Sequence, residues 1–263
     1  MTKLLQHSFN KFLHRTKNIE GALTNKEAFF LYSEASKGGG KGSIVEIGSF
    51  KGRSTVFLAK GSKEAQREKV YAIDPHIGGV IVNKKLSPPT YQVFLRNIHN
   101  AKVADWIKPQ KKYSHDAARN WKFPIRLLFI DGDHSYEGVK IDVLNWTQYV
   151  CDDGSIIFHD VLSPALGPVQ VILSYLANKK EYRNFGFVDS IFFCQKGYPK
   201  RYSEKINKLY YIQVLKLVWV ILKLSEFIKT QKIKIFLQQH VVKRWIKSFF
   251  SKNMRNNLIK SIS

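Results

Sequence analysis

Between about residues 43 and 165, short apolar runs alternate with stretches of helical spacing. Residues 43–49 (SIVEIGS), 69–75 (KVYAIDP), 126–131 (RLLFID) and 155–160 (SIIFHD) are near-continuous apolar runs that end on polar or acidic positions. Strands buried on both faces of a parallel sheet read this way. Residues 54–60 and 136–150 have helical spacing; in the second, Val139, Val143, Leu144, Trp146 and Val150 form the expected sheet-facing stripe and Asp142 is assigned to the helix surface. A weaker strand is expected within 105–113. The segment FGFVDSIFFCQKG (185–197) predicts two antiparallel strands around a very tight turn, and Gly197 with Pro199 ends the unit. Strands alternating with helices in this order predict an α/β fold with a parallel sheet and helices on both faces.

Length and composition extend this picture. The chain has 263 residues, enough for one α/β core plus an appendage. With 44% hydrophobic residues and 18 Phe it is too apolar for a disordered chain. The two cysteines, Cys151 and Cys194, have no metal-ligand spacing and read as core thiols of a reducing compartment. The basic N-terminus breaks its apolar run at His7, Asn10, Lys11 and His14, which does not suit a secretory signal and gives a cytoplasmic expectation. Net charge is +23, and from Lys200 onward 15 Lys/Arg face only Glu204 and Glu226. Three segments follow: a helical N-terminal piece (1–24), the α/β domain (25–199) and a basic amphipathic helical tail (200–263). The tail mixes Lys with Trp219, Trp245, Phe249 and Phe250, which suits an anionic membrane surface better than a crossing helix or nucleic acid. Packing on the domain or a homo-oligomer contact would use the same apolar faces.

The chemistry is expected at strand ends. In Glu46-Ile-Gly48-Ser49-Phe-Lys-Gly52-Arg-Ser54-Thr55, Gly48 permits a sharp turn and Gly52 keeps the following helix close, leaving free N–H groups for an anionic group. A dinucleotide fingerprint would place a third glycine where Ser49 or Phe50 stands, which argues against NAD. Asp74 ends the second run, where a carboxylate can accept ribose hydroxyls. Asp131, Asp133, His134, His159 and Asp160 fall at or just beyond the ends of two strands expected to be neighbours, a set able to bind a divalent cation, with His tolerated for transition metals.

The ordered motifs VEIGSFKGRST (45–55), YAIDPH (71–76), SHDAA (114–118), LLFIDGDHSYEGVKIDVLNW (127–146) and DDGSIIFHD (152–160) resemble the class I S-adenosylmethionine-dependent methyltransferases. The likeness is to the small-molecule and sugar O-methyltransferases of the methyltransferase domain 24 type. That resemblance implies a Rossmann-like, doubly wound seven-stranded sheet, order 3-2-1-4-5-7-6, with strand 7 antiparallel. It implies that Glu46 and the turn of Gly48, Ser49, Gly52 and Ser54 hold the methionine part of the cofactor, that Asp74 holds the ribose, and that Asp116 with Ala117 lies at the adenine edge, with Asp131 nearby. Asp131 and Asp160 would hold magnesium and His134 would act as base. His159 departs from the family's acidic pair, which leaves three options open: magnesium with fewer ligands, a softer ion bound by Asp131, His159 and Asp160, or a metal-free site. The implied activity is O-methylation of a sugar or other small-molecule acceptor, at the inner membrane face if the tail docks there. The rivals are a nicotinamide-dependent oxidoreductase and a non-catalytic membrane or nucleic-acid adaptor.

Overall fold

A computed structural model describes residues 2–227, apart from 79–80, 83–84 and 87. The second half of the basic tail, with Trp245, Phe249 and Phe250, lies outside the described residues. Seven strands build one sheet: β1 (Ser43–Ile47), β2 (Val70–Ile73), β3 (Ile107–Gln110), β4 (Ile125–Ile130), β5 (Val150–Phe158), β6 (Tyr182–Val188) and β7 (Ile191–Lys196). Their spatial order is β3-β2-β1-β4-β5-β7-β6. The pairings from β3 to β5 are parallel, and β7 runs antiparallel to both β5 and β6. The order and the antiparallel seventh strand are those the resemblance implied.

Helices cover both faces. On one side lie α1 (Thr2–Arg15), α2 (Asn25–Lys37), α3 (Arg53–Glu64) and α4 (Tyr91–Asn100), packed through Phe9, Leu31, Phe57 and Phe94. On the other lie α6 (Tyr136–Trp146), α7 (Gly167–Val171) and α8 (Tyr202–Phe227), packed through Trp146, Val169 and Leu215, with the short α5 (Ser114–Ala118) contributing Ala118. Successive strand residues point to opposite faces. Val45 and Ile47 of β1 therefore join the α6 layer, while Ile44 and Glu46 look toward α3. Ile156 and Phe158 of β5 likewise face α6, while Ile157 faces the α2 layer.

Several details differ from the sequence reading. Leu144 is 51% exposed and Asp142 is buried, at 3%. The inward stripe of α6 is thus Val139, Asp142, Val143 and Trp146, which keeps helical spacing; an acid occupies a core position because Ser114 supplies its hydrogen bond. Cys194 is a core thiol as expected, but Cys151 is only half-buried. Within the tail, residues 202–227 form α8, whose Ile212, Leu215, Val218 and Leu222 belong to the main core.

Candidate active site

The turn after β1 is built as its glycines required. Gly48 has φ +87, and a Cβ there would meet the carbonyl oxygen of Asp131 at 2.1 Å. Only glycine lets the ends of β1 and β4 come this close, with Asp131 N–H donating to the Ile47 carbonyl at 2.8 Å. Gly52, at φ +88, is the N-cap of α3. Three non-glycine residues at the same edge of the sheet, Phe50, His76 and Asp160, also have positive φ (46, 54 and 54). Such backbone conformations cost energy and concentrate at functional sites.

Glu46 is fully buried and receives Ser54 Oγ and Thr55 Oγ1, each at 2.5 Å, one on each carboxylate oxygen. Burial raises its pKa to about 8, and these hydroxyls offset only part of that cost. Glu46 and Ser54 thus engage each other and tie the strand to the first turn of α3. Ser49, in contrast, is 2% exposed and its hydroxyl has no protein partner. A buried hydroxyl left open in a glycine turn fits a polar ligand group. Asp74 accepts the N–H of Phe50 at 2.7 Å and that of His76 at 2.6 Å, which fixes the loops after β1 and β2 to each other. Asp116 is partly exposed at the start of α5 and pairs with Arg119 at 3.3 Å and His115 at 3.5 Å; Ala117 packs against the core beside it.

The second group lies beyond β4 and β5. Asp131 Oδ1 contacts His159 Nδ1 at 3.1 Å and His134 Nε2 at 3.3 Å. His134 Nδ1 lies 3.7 Å from Asp160. Burial opposes charge on Asp131, but His159 and His134 overcome it and hold its pKa below the usual carboxylate value. The bond to Asp131 raises the His134 pKa against a smaller opposing effect of burial. Donor atoms of Asp131, His134 and Asp160 all lie within 4.8 Å of one another. The predicted ligand trio named His159 in place of His134, and His159 sits outside this group. Asp133 accepts the N–H and hydroxyl of Ser135 at 2.8 and 2.9 Å, which shapes the N-terminus of α6.

His159 is 3% exposed because strand alternation turns it toward α2, where Glu27 Oε2 lies 3.5 Å from its Nε2. Glu27 was missed by sequence reading. It is the third residue of a capping box, with Thr24 N–H donating to it at 2.8 Å, and it also receives the N–H and hydroxyl of Ser190 at 2.8 and 2.7 Å. Burial works against its charge, but His159, Ser190 and Thr24 prevail and lower the pKa to about 2. Burial also opposes the cation on His159, yet Asp131, Glu27 and Asp160 raise its pKa well above the ordinary value. The arrangement is a string, Glu27–His159–Asp131–His134, running from a helix cap to a partly exposed imidazole. The Thr-x-x-Glu spacing at 24–27 signals the cap; nothing local signals contact with residue 159.

Asp142 and Ser114 form the other missed pair: the Ser114 hydroxyl donates to Asp142 and joins α5 to α6. Burial raises the Asp142 pKa to about 7. A cavity of about 320 Å³ lined by Glu20, Lys51, Thr90 and Arg96 touches the glycine turn only through Lys51 and includes no member of the acid and histidine group.

Sheet order, glycine turn and strand-end acids together define a class I methyltransferase fold. Residues 45–161 match the family described as a methyltransferase domain. Over 127 residues the chain is 34% identical to Uncharacterized protein R132 of Acanthamoeba polyphaga mimivirus, covering 45% of this chain and 51% of that one. The chain therefore spans about half the length of this curated relative. The O-methyltransferase from Bacillus cereus, solved in complex with SAH, matches with a TM-score of 0.50 at 17% identity, over 72% of this chain and 91% of that chain. The O-methyltransferase NovP matches with a TM-score of 0.52 at 15% identity, over 72% and 79%. Residues 45–161 are thus similar to a methyltransferase domain, and the surrounding sheet has the fold of the solved O-methyltransferases.

Proposed function

We propose that the chain transfers the methyl group of S-adenosylmethionine to a hydroxyl of a sugar or another small polyol-like acceptor. The observation that carries this reading is the meeting, at one edge of the sheet, of a glycine turn containing the open Ser49 hydroxyl and an imidazole, His134, held by Asp131. The methyltransferase domain match and the SAH bound by the Bacillus cereus protein support the choice of cofactor. The sulfonium supplies an already reactive methyl group. The protein's own task is to align the acceptor oxygen and take its proton.

His134 is 30% exposed, so an acceptor hydroxyl can reach it, and Asp131 fixes the ring and stabilises the imidazolium that forms. The bond to Asp131 raises its pKa, so the free base forms at a higher pH than for an ordinary histidine, and turnover is expected to rise with pH through that shifted titration. We assign Asp74, at the end of β2, to the ribose and Asp116, on α5, to the adenine edge of the cofactor, as the motif resemblance implies. With Glu46 closed by two hydroxyls, we assign it to positioning the turn and Ser49 to contact with the methionine end.

The metal question turns on His134. An imidazole bound to a cation through one nitrogen carries its proton on the other and has no lone pair left to accept another. His134 therefore serves either as base or as ligand, and Asp131 already accepts from two imidazoles. We assign it as base and propose a metal-independent reaction. A site that includes His134 would suit a transition ion better than magnesium.

Calorimetric titration with S-adenosylmethionine, SAH and NAD tests the reading. Binding of the first two and not of NAD is expected; binding of NAD alone would overturn it. Chelation by EDTA is expected to leave turnover unchanged. Loss of turnover on chelation, restored by manganese, would move His134 from base to ligand.

A further inference from the structure

The helix α8 has two apolar stripes, and the domain covers only one of them. Its inner face, Tyr211, Ile212, Val214, Leu215, Val218 and Leu222, is buried in the core. Its start is pinned by Glu204, which is buried, pairs with Arg183 at 3.3 Å and accepts the N–H of Lys200 at 2.7 Å. The outer face carries Tyr202, Ile206, Leu209, Leu217, Val220 and Leu224, exposed by 78, 48, 59, 37, 42 and 58%. Their spacing of three and four residues is helical, and Gln213 alone interrupts the series. A helix lying on a water-soluble domain ordinarily turns polar residues outward. An apolar outer stripe running the length of a 26-residue helix, about 39 Å at ~1.5 Å per residue, points to a partner.

Charge identifies that partner. Lys205 and Lys216 are exposed beside the stripe, and no acidic side chain is exposed among the described residues of this face. The chain that follows, residues 228–263, holds nine Lys/Arg and no Asp or Glu, together with Phe236, Trp245, Phe249 and Phe250. That segment offers no carboxylate to these lysines, and a second copy of α8 has, beyond the buried Glu204 paired with Arg183, only Glu226 to set against its own Lys205, Lys208, Lys216 and Lys223, so two copies paired through the stripe would bring mostly like charges together. An anionic lipid surface satisfies both parts, accepting the apolar stripe at the boundary between headgroups and acyl chains and attracting each Lys/Arg by roughly 1 kcal/mol. Among the described residues no helix is long and apolar enough to cross a membrane, so the helix lies on the surface. We propose that the outer face of α8 is a docking surface for anionic membranes, with the sheet domain carried on the helix's inner face. This inference is independent of the chemistry at the strand ends.

The test is co-sedimentation of the full chain with vesicles of phosphatidylcholine, alone or mixed with phosphatidylglycerol. Binding is expected only to the mixed vesicles, and it should weaken by about tenfold or more in the triple variant Leu209→Glu/Leu217→Glu/Leu224→Glu. All three side chains are exposed, so thermal melting should match the unaltered chain. Vesicle binding unchanged in the triple variant would place the contact in residues 228–263 alone and overturn the proposal. Failure of the unaltered chain to bind, or a vesicle-free dimer dissolved by the triple variant, would overturn it as well.

Discussion

Glu46 and Glu27 are both sealed from solvent, yet they come to rest in opposite proton states. Burial pushes both toward the neutral acid. Glu46 is met by two hydroxyls and feels the carboxylates of Asp131 and Asp74, and its pKa rises to about 8. Glu27 is met by an imidazole, two backbone N–H groups and a hydroxyl, and its pKa falls to about 2. Hydroxyls satisfy lone pairs without supplying charge, whereas His159 supplies it. One acid therefore serves as a neutral clasp between β1 and α3, and the other anchors a charged string that ends at the candidate base.

The strongest way to break the charged half is at its outer end. His134→Ala should lower turnover by about 100-fold or more, the usual contribution of general base catalysis, while leaving SAH affinity unchanged. Single-turnover kinetics beside calorimetry would check this. A variant with near-normal turnover removes His134 from the mechanism, and one that also loses SAH shows that the imidazole belongs to the cofactor site.

At the inner end, Glu27→Gln should destabilise the fold by about 3 kcal/mol at neutral pH, from ~1.4 kcal/mol per unit of pKa shift. The sign follows from the lowered pKa: the stabilisation is complete above the unfolded value of 4.5 and is lost as pH falls through about 2. Urea denaturation at pH 7 and at pH 3 should show the difference between the two proteins shrinking at the lower pH. Because Glu27 positions His159 and touches nothing that reacts, turnover should fall with cofactor affinity retained.

The contrast between these acids also marks how far sequence could be read. Strands buried on both faces are near-continuous apolar runs, so β1, β2, β4 and the end of β5 stand out, and the glycine turn is a local motif whose geometry is fixed by φ at Gly48 and Gly52. The clasp was half-visible, since Ser54 and Thr55 follow Glu46 within one strand-turn-helix unit. The string was not, because Glu27 reaches Ser190 across 163 positions and the pairing depends on how α2 lies over the end of β5. Asp142 shows a different failure. Its residue type suggested solvent while its spacing with Val139, Val143 and Trp146 pointed inward, and the spacing prevailed.

Asp142 is a third buried acid and sharpens the comparison, since it has a single hydroxyl donor, Ser114, and the nearby Asp133 charge adds to the effect of burial. A raised carboxyl pKa costs stability as pH climbs from the unfolded value of 3.8 to about 7, because ionisation in the folded state is disfavoured. Asp142→Asn keeps an oxygen for Ser114 and removes that cost. It should be more stable than the unaltered chain by up to about 4 kcal/mol at pH 8 and no more stable at pH 4. Denaturation midpoints measured across that range decide it, and parallel curves for the two proteins would mean that Asp142 ionises freely in the folded state.

The smallest effect is expected at the clasp itself. With its pKa near 8, Glu46 is neutral in the folded chain, and below the unfolded value of 4.5 it is neutral in both states, so at pH 4 Glu46→Gln should change stability by less than about 1 kcal/mol, the net worth of an ordinary hydrogen bond. As pH rises from the unfolded value of 4.5 through about 8, the unaltered chain progressively loses stability that the glutamine variant keeps, so the two should diverge at pH 9 in favour of glutamine. SAH titration of the same variant separates the two roles open to this residue. A neutral clasp acts on the cofactor only by holding the Gly48–Gly52 turn, and glutamine should preserve the affinity. A carboxylate in direct contact with the methionine end would lose its charge on substitution, and affinity would fall while stability at pH 4 stayed the same. That second outcome would mean that ligand binding reopens the contacts with Ser54 and Thr55, and it would return Glu46 to the cofactor site that the sequence motif first suggested.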